Sequence, residues 1–481
     1  MTPMKKIGLP KIIQGGMGAG VSSWSLAKAV SSAGQLGVVS GTALDVILAR
    51  RLEVGDPGGH MRRALSHFPI PGVAQRILDR YFIDGGKPED KRFKAKPMPS
   101  EKPSGPLLDL LVAGNFVEVF LAREGHDHPV GINYLEKIQV PNLPSIFGAM
   151  LAGVGFVLMG AGIPIAIPSV LDQLSAGQAV KLHVDVKGTT AGVFAEFDPV
   201  AYCGGVAPEL VRPKFLAIIS TDTIANVLIR RTKGGVDGFI VEGPTAGGHN
   251  APPRGAMQLS EKGEPLYTKR DVPNLETIKG YGLPFWLAGS FAGPEKIQEA
   301  LDLGATGVQV GTAFAYCEES GIDPDLKAQV LAMSAKGEVE IFTDPVASPT
   351  GFPFKVVQTP GTFSDNELYK KRSRICDLGY LRHAYAKDDG AVAWRCPAEP
   401  VEDYVRKGGD IADTVGRKCV CNGLMADIGL GQIQKSGARE LAIMTSGDDV
   451  AHVARFLKDG KITYSAQEVL DSLLGSASTS A

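Results

Sequence analysis

Short apolar runs that stop in glycine recur through the first two thirds of the chain, and between them the apolar positions fall at helical spacing. Residues up to 16 supply a first strand, and Leu36–Ser40, Val130–Tyr134, Gly155–Met159, Phe215–Ser220 and Val236–Val241 supply five more. Leu283–Ser290 and Gly307–Thr312 repeat the pattern. Ser22 and Ser23 cap a helix through Ala33, a second helix starts near Asp45, and Thr223–Arg231 forms another. Between the last two strands, Pro294 opens a helix that Gly304 closes. Strand, helix, strand in this order predicts βαβ units and a parallel sheet.

Other stretches depart from that period. Residues 55–106 read as an insertion whose second half, Lys87–Pro106, is too rich in Lys, Glu, Asp and Pro to bury much. Leu107–Glu124 returns to helix through Leu108, Leu111, Val112, Phe116, Val119 and Phe120. Within an insertion at 181–213, Leu182–Val186 and Val193–Phe197 alternate as an antiparallel hairpin. A Pro-rich loop over 250–275 is long enough to wall a cavity. The division expected is a (β/α)8 barrel over 1–345, about 250 residues of it the barrel proper, and a mainly helical region over 346–481 packing on it. The Ser-rich C-terminal tail reads as frayed.

In a parallel barrel the loops after the strands build the active face. Gly289-Ser290 and Gly311-Thr312 occupy that place in the last two units, where glycine lets amides approach an anion. A phosphate cradle is expected there; simple tight turns are the plainer alternative. His249 follows Gly247-Gly248 at the end of the preceding strand, on the same face. Its near-neutral pKa suits proton transfer beside a bound cofactor. Glu242 ends that strand as a mouth residue or a buried ion-pair member.

These residues carry a resemblance. Ala246–His249, Leu287–Ser290 and Val308–Thr312, with Ile13–Met17, Gly34–Gly41 and Val130–Asn133, resemble the nitronate monooxygenase (2-nitropropane dioxygenase) family. The resemblance runs in order over roughly residues 10 to 320. It implies an FMN-dependent TIM barrel, related to the flavin-dependent enoyl-ACP reductase, with His249 as the catalytic residue. It implies cofactor contacts from Gln14, Gly15, Gly16, Met17 and Asn133, from Gly247 and Gly248, and from Ala288, Gly289, Ser290, Gln309, Gly311 and Thr312. The implied reaction oxidises alkyl nitronates or nitroalkanes with O2. An NAD(P)H-dependent enoyl-thioester or quinone reductase with His249 as acid is the alternative, and a non-enzymatic ligand-binding barrel a third. A small-molecule substrate is expected with O2 or NAD(P)H as co-substrate, and a homodimer is left open.

Composition trims this picture. A net charge of −2 argues against general nucleic-acid binding. Six cysteines in 481 residues do not make a secreted disulfide framework, so reduced thiols in a cytoplasm are expected. Ile138–Leu171 holds no charged residue, yet four prolines and several glycines exclude a single spanning helix. No leader is expected after Lys5-Lys6. His126 and His128, and Cys376, Cys396, Cys419 and Cys421, were the metal candidates. The four cysteines could hold zinc or an iron–sulfur cluster, but they lack a Cys-x2-Cys knuckle, so no metal site is expected.

Overall fold

The computed structural model describes residues 8–458 and 460–475. Eight parallel strands are built from the expected runs. They are β1 (Ile12–Gln14), β2 (Gly37–Ser40), β3 (Val130–Leu135), β4 (Phe156–Gly160), β5 (Lys214–Ile219), β6 (Gly238–Glu242), β7 (Phe285–Ala288) and β8 (Gly307–Val310). Each pairs with its neighbour in chain order, from β2 round to β8, and β8 returns to β1 with Ile12 opposite Val308. The ring closes at a parallel bridge between Ile13 and Leu36, where Gln14 N donates to the Leu36 carbonyl at 2.9 Å. The fold is the expected (β/α)8 barrel. Residues 1–7, the start of the expected first strand, lie outside the described residues, as does the Ser-rich tail beyond 475.

The period of two along each strand decides which side chains fill the barrel. Ile13, Val38, Leu158, Leu216, Ile240 and Trp286 meet inside, and the alternate positions face the surrounding helices. The Trp286 indole closes the floor by donating to the Pro10 carbonyl at 2.8 Å. One step further along each strand, the inward positions form the top layer. They include Asn133, Ile218, Glu242, Ala288 and Gln309, and this layer is the mouth.

Among the described residues, one helix, Gly105–Ala122, is long and apolar enough to cross a membrane, and 78% of that stretch is buried inside the protein. Its carboxylates explain the burial: Asp109 pairs with Arg76 at 2.8 Å, and Glu118 pairs with Arg51 and accepts from Trp24 N. The helix Gln139–Leu151 crosses it so closely that a Cβ on Gly148 would stand 2.1 Å from the Val112 carbonyl oxygen. Gly to Ala inside a helix ordinarily stabilises by about 1 kcal/mol. Here the contact is backbone and cannot swing aside, so overpacking, about 1–3 kcal/mol, wins. Gly148→Ala is expected to lower the melting temperature, as thermal denaturation followed by circular dichroism reads directly.

The second half of the first insertion departs from expectation. It is more than a solvated excursion: much of it is exposed, as expected, yet Phe93 is buried, and Lys96 pairs with Asp45 at 2.6 Å with both side chains nearly closed to solvent. Arg92 donates to the Ile433 carbonyl, and Asp45 also accepts from the Tyr380 hydroxyl. A buried charge needs such partners. This strand of coil therefore glues the barrel helix Leu44–Glu53 to the C-terminal residues. The hairpin forms as expected, Val180–Val184 against Val193–Phe197. Just after its first strand, Val186–Lys187 also pairs with His383–Ala386 of the C-terminal region.

Helix outweighs strand in that C-terminal region, but much of it is irregular. Two antiparallel ribbons were not foreseen: Ile341–Asp344 with Phe354–Val357, and His383–Ala386 with Val392–Arg395.

Candidate active site

Every strand delivers residues to one cavity at the carboxyl ends of the barrel. Gly16, Met17 and Gly18 come from the loop after β1, Asn133 from β3, Ala161 from the turn after β4, and Glu242 and Thr245–His249 from β6 and its loop. Ala288–Ala292 follow from β7, and Gln309–Thr312 from β8. Backbone strain concentrates here. Ala43, Ala161 and Ser290 take left-handed φ of 58°, 54° and 58° directly after β2, β4 and β7. Such conformations cost a non-glycine residue on the order of 1 kcal/mol and are held where the surroundings demand them.

The residues fit an elongated cofactor with an anionic end. Asn133 Oδ1 and Gln309 Oε1 are buried without a partner among the described residues, both on the cavity wall. Orphaned acceptors of this kind are costly unless a ligand completes them. Among the described residues neither the Gly289 nor the Ser290 amide has a backbone partner, which leaves that turn with donors for an anion. Gly311 caps a single helical turn, Thr312–Ala315, beside it.

Eleven of the thirteen cofactor positions expected from sequence line this cavity: Gly16, Met17, Asn133, Gly247, Gly248, Ala288, Gly289, Ser290, Gln309, Gly311 and Thr312. Gln14 and Gly15 do not. Since Ile13 points into the barrel, its neighbour Gln14 points out. The Gln14 amide donates to Ser22 Oγ at 2.8 Å and accepts from Val38 N at 3.0 Å. Ser22 Oγ in turn donates to the Gly15 carbonyl at 2.8 Å and accepts from Met17 N at 2.9 Å. Gln14 therefore shapes the loop rather than touching a ligand, and Ser22 spends its hydroxyl there instead of capping the helix Trp24–Ser32, where Ser23 makes no side-chain cap either.

His249 stands on the cavity wall, its Nε2 2.7 Å from the fully buried Ser348 Oγ. Phe354 and Phe352 flank the ring, with centroids at 4.8 and 6.5 Å. Nδ1 hydrogen-bonds to no described residue. Burial pushes the imidazole pKa down to about 4, so the ring is neutral at pH 7. Glu242 has no hydrogen-bond or ion-pair partner among the described residues, and burial pushes its carboxyl up to about 7. Both side chains keep a partly open surface, and that surface faces the cavity.

The Glu242 shift has a consequence for stability. Between its ordinary 4.5 and about 7 the folded chain holds a proton that the unfolded chain has released. Stability from this group is therefore present below pH 4.5 and lost as pH rises through 7, by at most about 3 kcal/mol. Glu242→Gln is expected to remove that part of the slope. Melting temperatures of the two proteins at pH 5 and pH 8 give the comparison.

Which C-terminal residues reach the cavity was not legible in the sequence. Thr445–Gly447 insert between the loops after β6 and β8. Gly248 N donates to Thr445 Oγ1 at 2.9 Å, Gly447 N to Thr312 Oγ1 at 3.0 Å, and Asp448 N to the Thr245 carbonyl at 3.0 Å. Ser348 and Phe354 were likewise unforeseen, because nothing local marks a serine that folds back on a histidine 99 residues away.

The candidate metal ligands lie elsewhere. Cys376, Cys396, Cys419 and Cys421 converge on a separate small cleft, all free thiols. Among the described residues no group of three or more His, Cys, Asp or Glu side chains is disposed to hold a metal ion.

Known proteins resemble this chain in sequence. The nitronate monooxygenase family model matches residues 205–347, which carry β5–β8, His249 and the two glycine turns. The nitronate monooxygenase of Pseudomonas aeruginosa is 28% identical over 322 residues, 64% of this chain and 67% of that protein. Over these spans the chain is similar to the nitronate monooxygenase family. By that similarity it is an oxidoreductase of the nitronate monooxygenase type. A probable nitronate monooxygenase of Bacillus subtilis is 30% identical over 112 residues, 23% of this chain and 30% of that relative. Among solved structures, FabK from Thermotoga maritima superposes with a TM-score of 0.48 at 16% identity, covering 98% of this chain and 93% of that one. A nitroalkane oxidase from Streptomyces ansochromogenes gives 0.47 at 14%, covering 98% and 95%. At those scores neither likeness carries weight beyond the match itself.

Proposed function

We propose that this protein is an FMN-dependent nitronate monooxygenase-type enzyme that oxidises nitroalkanes or alkyl nitronates with O2. The observation that carries the reading is a neutral, serine-held imidazole on the wall of the cavity that also holds the Gly289-Ser290 turn. FMN, when bound, supplies the electron acceptance. The chain's own residues supply the rest. The turns after β7 and β8 would hold the phosphate, and Asn133, Gln309, Gly16 and Met17 would meet the ring. His249 takes a proton from the carbon next to the nitro group, and Phe352 and Phe354 keep water from its ring.

The protonation state separates this reading from its rival. With a pKa near 4, about one His249 in a thousand carries a second proton at pH 7. A neutral ring is free to accept a proton, whereas the imidazolium acid that a reductase would need at a substrate alkene is scarce. One observation favours the reductase nonetheless: Lys137, Lys187 and Arg382 line a second cleft of about 670 Å³, more room than a small nitroalkane fills.

Anaerobic mixing tests the assignment. Flavin bleaching by a nitronate, with none by NADH or NADPH, is the expected outcome, and the reverse would transfer the protein to the reductases.

A further inference from the structure

The buried hydroxyl of Ser348 has two neighbours, and only one of them is His249. On its other side Thr350 Oγ1 lies 2.9 Å away, and Thr350 N donates to the same serine oxygen at 3.3 Å. Thr350 does not face the barrel mouth. It lines the second cleft, together with Lys137, His183, Asp185 and His383. The chain from Ser348 to Phe354 is thus the partition between two cavities, and three side chains in hydrogen-bond contact run straight through it.

We propose that His249, Ser348 and Thr350 form a proton wire that links the barrel mouth to the second cleft. The inference rests on the reading of His249 as a base. Nδ1 accepts a proton from the substrate carbon, and the imidazolium passes its Nε2 proton to Ser348 Oγ. The serine's own proton moves to Thr350 Oγ1, and the threonine's moves to water in the cleft. Each oxygen ends with the single proton it began with, the ring is again neutral as its other tautomer, and no electron is transferred along the path.

Geometry is the reason the wire is needed. Phe352 and Phe354 flank the ring, and Ser348 occupies Nε2. A ligand seated in the mouth closes the Nδ1 side. The route through Ser348 and Thr350 then leads the proton out to the second cleft. The Lys137 ammonium lies 6.0 Å from the Phe352 ring, across the same partition.

Thr350→Val in the full-length, flavin-loaded enzyme keeps the His249–Ser348 bond and cuts the wire at its outer end. Turnover of a nitroalkane is expected to fall by about tenfold, short of the 10²-fold or more that losing a general base costs. KM should hold and the solvent deuterium isotope effect on kcat should rise. Thr350→Ser, which restores the hydroxyl, should recover the rate. Nitrogen-15 NMR of His249 in the flavin-free protein should show the same ring tautomer in Thr350→Val as in the wild type. Phe352 N donates to Thr350 Oγ1 at 3.3 Å, so valine also loosens this loop. A proton inventory on the unmodified holoenzyme covers that case. A curved inventory, with several protons in flight, supports the wire, and a linear one overturns it. An unchanged kcat and isotope effect in Thr350→Val overturn it as well. Full nitroalkane turnover in His249→Ala would instead remove the base assignment itself, so the two failures are told apart.

Discussion

Replacing His249 with alanine lowers nitroalkane turnover by about 10²- to 10⁴-fold while the purified protein stays yellow. The loss follows from removing the one neutral base placed on the cavity wall. Retention of flavin follows from the backbone, because Gly248 and Asn250 hold their places through main-chain bonds. Lys355 N donates to the Gly248 carbonyl at 3.0 Å, and Asn250 N to the Pro353 carbonyl at 2.9 Å. Neither bond involves the imidazole. The deficit should be far smaller when a preformed nitronate is supplied, because that substrate has already given up the proton. Steady-state rates with both forms, beside a visible spectrum, make the comparison. A colourless variant would make His249 a structural residue.

The second large effect concerns the anion turn. Gly289 has φ +100°, and a Cβ there would meet Thr245 Oγ1 at 2.8 Å and Ala246 N at 3.4 Å. Valine at this position pays for the backbone conformation, about 1–3 kcal/mol, and pushes into the loop that carries Gly247 and His249. Gly289→Val is expected to weaken FMN binding by about 100-fold, equivalent to roughly 3 kcal/mol. Fluorescence titration of flavin-free protein with FMN measures it. Unaltered affinity would place the phosphate elsewhere.

Much of the barrel could be read from the chain because its strands are buried on both faces, so most appear as apolar runs ended by glycine, β3 and β5 being the exceptions. The mouth was legible where such a stop marks it, as at Ala288 beside Gly289 and Gln309 just before Gly311, whereas Asn133 was legible only through the family resemblance. Gln14 misled because it also stands at a glycine stop, and only the inward direction of Ile13 tells that its neighbour must face out. Ser348 and Thr445–Gly447 were illegible on different grounds. They meet the barrel through single hydrogen bonds across long separations, and no periodicity marks such a contact. Lys96 and Phe93 were hidden by composition, since a run of lysines, acids and prolines conceals the few residues that anchor it.

The wall that Thr445–Gly447 build has a bearing on biosynthesis. Those residues leave the ribosome on the order of ten seconds after the last barrel strand, at ordinary elongation rates. Until then the nascent barrel has its glycine turns but lacks one side of the cavity around Thr312. A cofactor held in the finished cavity therefore waits for Thr445–Gly447, and flavin starvation should accumulate a folded, colourless chain that can still be filled.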